Sequence, residues 1–403
     1  MNSKNWPKFP VLFSLYIAQS IPMSFFSTVI PVIMRQGNYS LGSIGLLQLV
    51  KLPWIIKFLW APLVDNHTAN RRQIRQWIVI SELFYAAIIL GIGFFDLKTD
   101  FVLIVTLIIA AFILSATQDI ATDIFAIKVL KHNERSLGNS MQSAGSFVGS
   151  LFGTGVLLVV YHYFGWQNLL FVLASFVVFA LIPVLLYKPD LNTSEEPKKK
   201  VKIKDVFLFF NSKDTFRHML LLIFYYSALI GILAMLKPYL VDLGYNIKQI
   251  GFMSGIVGTS VAALCALLGG FVVKKIGRRA SFYLFACLNI AVAAYFFFLS
   301  KQVPSLMGIY TGICLLWGAY GFSTVIIYTS SMDKVRRNSE GTDFTIQIVV
   351  SHLSSLLVTI ICSRLGDKFG YSGLFVTEIL FGLVTLGLVY YNYPLKFAKN
   401  EID

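Results

Sequence analysis

Residues 51–75 read KLPWIIKFLWAPLVDNHTANRRQIR, an apolar run with two lysines, Lys51 and Lys57, that ends in a short and strongly basic connection. The corner A-P-L-V-D, Ala61 to Asp65, is followed by Arg71, Arg72 and Arg75. A second basic corner lies 209 positions on: Gly270 stands where Ala61 does and Lys274 where Asp65 does, followed by Lys275, Gly277, Arg278 and Arg279. Two such corners half a chain apart imply two homologous halves.

Around these corners the chain has the composition of a membrane protein. It is 56% apolar, 15% aromatic and only 13% charged, with a mean hydropathy of +0.71, whereas soluble domains are roughly 25% charged. A helix needs about 20 apolar residues to cross the hydrocarbon. By that ruler the sequence predicts spans over 11–33, 41–64, 76–95, 101–127, 138–161, 167–187, 219–241, 249–273, 281–300, 304–331, 345–365 and 371–392. The fold class expected is all-α and integral to the membrane, with twelve transmembrane helices in two homologous six-helix bundles. The bundles are 1–187 and 218–403, and residues 188–217, opening K-P-D-L-N-T-S-E-E-P-K-K-K, have the polar composition of a cytoplasmic linker. Within it, Val201 to Phe210 suits either a short interfacial helix or an extension of the seventh span.

The net charge of +14 does not mark a nucleic-acid binder, because the basic residues form no single patch interleaved with aromatics. Of the 34 lysines and arginines, 25 fall in connections of one parity, which places both termini in the cytoplasm. Cys265, Cys287, Cys314 and Cys362 lie singly in different spans and read as small core residues. Lys4 and Lys8 precede an apolar run too long for a secretion signal, with no small-residue cleavage site after it. No metal site or cofactor is expected. No grouping of His, Cys and carboxylates suggests an enzyme, and no G-x-x-x-x-G-K-[ST] loop suggests an ATP-driven pump.

Charged and strongly polar groups inside spans are costly and therefore functional candidates. In the fourth span, A-T-Q-D-I-A-T-D-I-F holds Gln118, Asp119 and Asp123, with the two acids one helical turn apart on a shared face. Lys51 or Lys57 is the expected counter-ion. The competing readings are a proton-carrying carboxylate, favoured for Asp119, and a static ion pair, favoured for Asp123 near the cytoplasmic interface. Candidate substrate contacts are Gln118, Gln142, Tyr226, Lys237, Gln347 and His352. Gln142 and Gln347 are 205 apart, close to the repeat offset, and are expected to face each other across a central cavity. Glu378 is set aside as lying on an outer helix. Small residues crowd the fifth span, with Gly145, Gly149 and Gly153 every four positions, and the eighth; this places both at the seam between the halves.

The second corner resembles the G-x-x-x-D-R-x-G-R-R signature that major-facilitator transporters carry between their second and third helices, with Lys274 in place of the acid. The first corner keeps the acid, Asp65, but has Ala61 for the glycine and Asn66 for the arginine, and its arginine pair comes two residues late. The resemblance implies alternating access, with Asp65, Arg71, Arg72, Gly270, Arg278 and Arg279 gating the cytoplasmic side. K-F-L-W-A-P-L-V-D and Q-D-I-A-T-D further resemble the AmpG-type muropeptide permeases, whose relatives include acetyl-CoA transporters and siderophore permeases. That likeness implies proton-driven import of a muropeptide across the bacterial inner membrane by a monomer. Muropeptide permeases often carry two further helices for which this chain has no room, a shortness shared with the siderophore permeases, the alternative implied.

Overall fold

A computed structural model describes residues 8–36, 50–96, 99–187 and 200–394. Residues 41–49, the start of the expected second span, and residues 188–199, the first part of the expected linker, lie outside the described residues. All regular structure among the described residues is helical.

The first half runs through α1 (Lys8–Ser24), a π-helical turn at Phe25–Val29, α2 (Ile30–Gln36), α3 (Leu52–Ile56), α4 (Ala61–Asn66), α5 (Arg71–Ile92), α6 (Phe101–Val129), α7 (Arg135–Leu151), α8 (Leu157–Phe179) and α9 (Ile182–Leu186). The second half has α10 (Ile203–Leu208), α11 (Lys213–Tyr225), α12 (Ile230–Asp242), α13 (Ile247–Ile250), α14 (Thr259–Leu299), α15 (Leu306–Asp333) and α16 (Glu340–Asn392). Among the described residues, eight continuous helical stretches are long and apolar enough to cross a membrane. Three of them, His132–Leu186, Ile247–Leu299 and Glu340–Asn392, are 53 to 55 residues long. Each breaks at one glycine with positive φ: Gly165 at 75°, Gly277 at 81° and Gly370 at 68°. Only glycine enters that region without steric penalty, so each stretch is two helices joined at a single residue.

Local chemistry sets the ends. Asn70 caps α5 by accepting from the Gln73 amide at 3.0 Å, while Gln73 Oε1 accepts from the Asn70 amide at 3.3 Å, a reciprocal cap. The chain leaves helical geometry at Ser212 (φ −80°, ψ 130°), so α10 is a separate short helix and not an extension of the seventh span. It buries Val206 and leaves Phe207 exposed.

Four apolar cores hold the molecule together, and their membership shows how the halves meet. One, with Phe25, Phe26, Ile89 and Phe112, draws only on the first half. Another, with Ile232, Phe296, Ile313 and Phe375, draws only on the second. The other two mix halves: Met332, Phe344 and Ile348 join Leu12, Val64 and Ile124, and Ala144 joins Leu222, Ala266 and Val325. The mixed cores lie toward the basic corners and the separate cores lie at the far end. The halves are therefore packed together on the basic face, and each closes its own core at the other.

Gly145, Gly149 and Gly153 do not form the seam. A Cβ on them would stand 2.9 Å from the Phe13 carbonyl, 2.7 Å from Ser20 Cβ and 2.4 Å from the Ile21 carbonyl, so this face holds α7 and the turn after it against α1 within one half. The seam is made at Gly270 of α14, where a Cβ would lie 2.5 Å from Ser140 Oγ and 2.9 Å from the Ser136 carbonyl of α7.

Candidate functional site

The deepest polar cluster is built on α6. Its middle is buried on all sides, and Gln118, Asp119, Thr122 and Asp123 lie within it. Lys57 forms an ion pair with Asp119, both side chains being nearly inaccessible, and the ammonium lies 4.8 Å from the Trp54 ring centre. Trp60 Nε1 donates to Thr117 Oγ1 at 3.1 Å, which fixes the helix carrying Lys57 against α6. The Tyr16 hydroxyl donates to Asp123 Oδ1 and Gln19 Nε2 donates to Gln118 Oε1, both from α1. Charges at so little accessibility persist only when paired and hydrogen-bonded.

The counter-ion of Asp119 is thus Lys57; Lys51 is half-buried at the start of α3. Asp123 departs from the expectation: it is buried, not interfacial, and its partner is a tyrosine. His352 on α16 is exposed, yet lies close enough to Lys57 to feel its charge. Tyr226, in the break between α11 and α12, has its ring 5.5 Å from that of Tyr320, which is 5.9 Å from Phe147 of the first half. Gln142 and Gln347 do not pair. Gln347 Nε2 donates to the Ser331 and Asp343 carbonyls within its own half, which turns its amide toward its own backbone. Lys237 is exposed on α12 toward the far end.

Two acids enlarge the picture. Glu82 in α5, passed over in the sequence, is buried with both oxygens lacking a hydrogen-bond partner, beside Tyr85. Glu378 is fully buried, and its Oε1 accepts from the Gly231 amide at 3.0 Å and from Cys362 Sγ at 3.0 Å. It holds the start of α12 and is not a lipid-facing residue.

The basic face is closed by a different set. Asp65 is buried against the N-terminus of α16, where it accepts from the Gly341 amide at 2.9 Å, the Thr342 amide at 2.7 Å and the Thr342 hydroxyl at 2.6 Å. Burial pushes its carboxyl up to about 6, although the Thr342 and Gly341 hydrogen bonds act the other way. Asp333 at the end of α15 takes Arg278 Nε at 2.8 Å and Arg135 Nη1 of the first half at 2.9 Å. Arg278 also donates to the His132 carbonyl at 2.6 Å. Of the expected gating residues, Asp65, Gly270 and Arg278 meet the opposite half. Arg71 instead turns to the end of α9, with Nη2 3.4 Å from the Tyr187 carbonyl; Arg72 is exposed beside it and Arg279 half-buried. Arg135 and Asp333 were not legible, since lone charges at span ends are ordinary in any membrane chain.

A cluster of buried charge between halves tied at one face is the layout of a secondary transporter, and the sequence profile described as Major Facilitator Superfamily matches residues 12–359. The chain belongs to the Major Facilitator Superfamily. This transporter is 22% identical over 380 residues to the anhydromuropeptide permease of Escherichia coli (strain K12), spanning 93% of its own length and 77% of that relative. A Rickettsia felis protein carrying the name AmpG 4 is 22% identical over 401 residues, 94% and 95% of the two chains. Among solved structures, the transporter superposes on the human organic anion transporter MFSD10 (TETRAN) with TM-score 0.74 at 12% identity, covering 96% and 100%. It superposes on a bacterial homologue of the iron transporter ferroportin in an outward-facing state with TM-score 0.70 at 13% identity, covering 96% and 99%. It is a multi-pass membrane transporter for a small molecule, not an enzyme.

Proposed function

We propose that the protein is a proton-driven importer of an anionic small molecule, a cell-wall muropeptide being the substrate class that its relatives' names support. The observation that carries this reading is the buried Lys57–Asp119 pair lying between two halves that share a core at one face only. A proton arriving from the far side neutralises Asp119 and breaks the pair. Lys57, still over Trp54, is then free to take the carboxylate of a substrate entering beside His352. Loss of the proton to the opposite side restores the pair and expels the substrate. Proton and anion are thereby obliged to move together. Asp123, held by Tyr16, is the second acid on the same face.

Twelve crossings in two six-helix bundles, with a cytoplasmic connection near 188–217, fit the eight stretches once the three longest are taken as two each, the twelfth ending at Asn66. Positive-inside asymmetry supports both termini in the cytoplasm of the bacterial inner membrane. The protein works as a monomer in this reading.

Uptake of an anhydromuropeptide into proteoliposomes, with and without an imposed proton gradient, tests the proposal. Accumulation only with the gradient is expected. Equal uptake in both conditions would remove the coupling, and absence of uptake would remove the substrate class.

A further inference from the structure

Three arginines open α5, at positions 71, 72 and 75, with no acid in the first turn. They stand at the positive end of the helix dipole, where cations are disfavoured and an anion is welcome. Arg75 Nη2 donates to the Leu185 carbonyl at 2.8 Å and Arg71 reaches the Tyr187 carbonyl, which bends both guanidinia over the end of α9. Arg75 has five N–H donors, so one backbone contact does not exhaust it, and Arg72 is exposed beside it. A cavity of about 410 Å³ lies here, walled by the arginines with Gln76, Ile80 and Leu185.

A second cavity of about 340 Å³ lies further along α5, lined on that helix by Leu83, Ala87 and Leu90 and on α8 by Phe171, Ser175 and Phe179. On α5 the lining residues 72, 76, 80, 83, 87 and 90 recur every three or four positions and so share one face. The two cavities thus follow one side of α5, where Ile80, Leu83, Leu90, Phe171 and Phe179 are exposed, cationic at the level of the basic corners and apolar for three further turns. That sequence of chemistries is the outline of a lipid, phosphate first and acyl chain after.

We propose that these cavities form a binding site for one anionic glycerophospholipid, its phosphate held by Arg72 and Arg75 and one acyl chain laid between α5 and α8. A guanidinium fork matches phosphate oxygens in pairs, whereas a zwitterionic lipid would set its own cation against three arginines. The site is separate from the Lys57–Asp119 cluster and does not depend on the substrate.

Native mass spectrometry of the purified full chain titrated with phosphatidylglycerol and with phosphatidylcholine of equal chain length tests it. Phosphatidylglycerol should be retained more tightly by on the order of tenfold. Arg72→Gln with Arg75→Gln should abolish the preference, and Ser175→Trp, which fills the apolar part and leaves the arginines in place, should weaken phosphatidylglycerol alone. Inorganic phosphate should not compete. Equal retention of the two lipids, or an unchanged preference in both variants, means a non-selective lipid shell and overturns the site. Competition by inorganic phosphate overturns it in favour of a soluble anion.

Discussion

Asp119 carries two duties that a single substitution pulls apart. Asp119→Asn imitates the protonated carboxyl but leaves the buried Lys57 uncompensated, at a cost of about 3–5 kcal/mol. We expect a lowered melting temperature, restored when Lys57→Met is added, and no accumulation against a gradient in either variant. A well-folded Asp119→Asn protein that still accumulates would transfer the coupling role to Asp123. Asp65 offers a pH test at the gate. Its carboxyl is raised to about 6 where it is buried and returns toward the ordinary 3.8 when the gate opens to water. The closed form thus binds the extra proton: its advantage is full below 3.8 and is lost as pH rises through about 6. The shift is equivalent to about 3 kcal/mol. Spin-label distances across the basic face should shorten between pH 7.5 and pH 5, and Asp65→Asn should flatten the response while keeping an oxygen for the α16 amides. The acids of α6 were legible because five polar residues, Thr117, Gln118, Asp119, Thr122 and Asp123, interrupt an apolar run. Tyr16 and Gln19 were not, since one tyrosine or glutamine in such a helix is commonplace until its neighbour is known.

Closure at the level of helices depends on α7 and α14 approaching at Gly270. Gly270→Ala sets a methyl 2.5 Å from Ser140 Oγ and 2.9 Å from a carbonyl that cannot rotate away, an overpacking that costs about 1–3 kcal/mol. The closed form bears that cost and an open form does not. A cysteine placed at Asn139, buried in the seam, should react faster with an impermeant maleimide applied to the basic face in the Gly270→Ala background than in the parent. An unchanged rate would mean that the seam lies elsewhere. Hydropathy located the helices but could not say which glycine faces which helix: Gly149 and Gly270 look alike in sequence, and only packing assigns one to α1 and the other to the seam. Arg71 and Arg72 were read as gate residues because they follow the corner directly. The late start of α5, set by the Asn70 cap, instead carries them round to α9.

Across the whole molecule, the proposed orientation sets the tied face in the cytoplasm, so a tag after Asp403 and one near Lys199 should both be shielded in intact cells; labelling of either from outside would reverse the orientation. The overall fold was readable because length, hydropathy and a repeated corner all constrain it, while the closed face depends on contacts between residues 130 to 277 positions apart that no local pattern encodes. The tie at Asp333 has a further consequence. Asp333, Arg135 and Arg278 are each only 16 to 20% accessible, whereas Asp214, paired with Lys334 nearby, is 71% accessible. Mobile ions screen exposed charges over a Debye length of about 8 Å at physiological ionic strength, and buried ones far less. Osmotic stress that concentrates cytoplasmic salt should therefore loosen the outer pair and leave the latch at Asp333 shut, so that the resting protein does not become a leak when the cell dries.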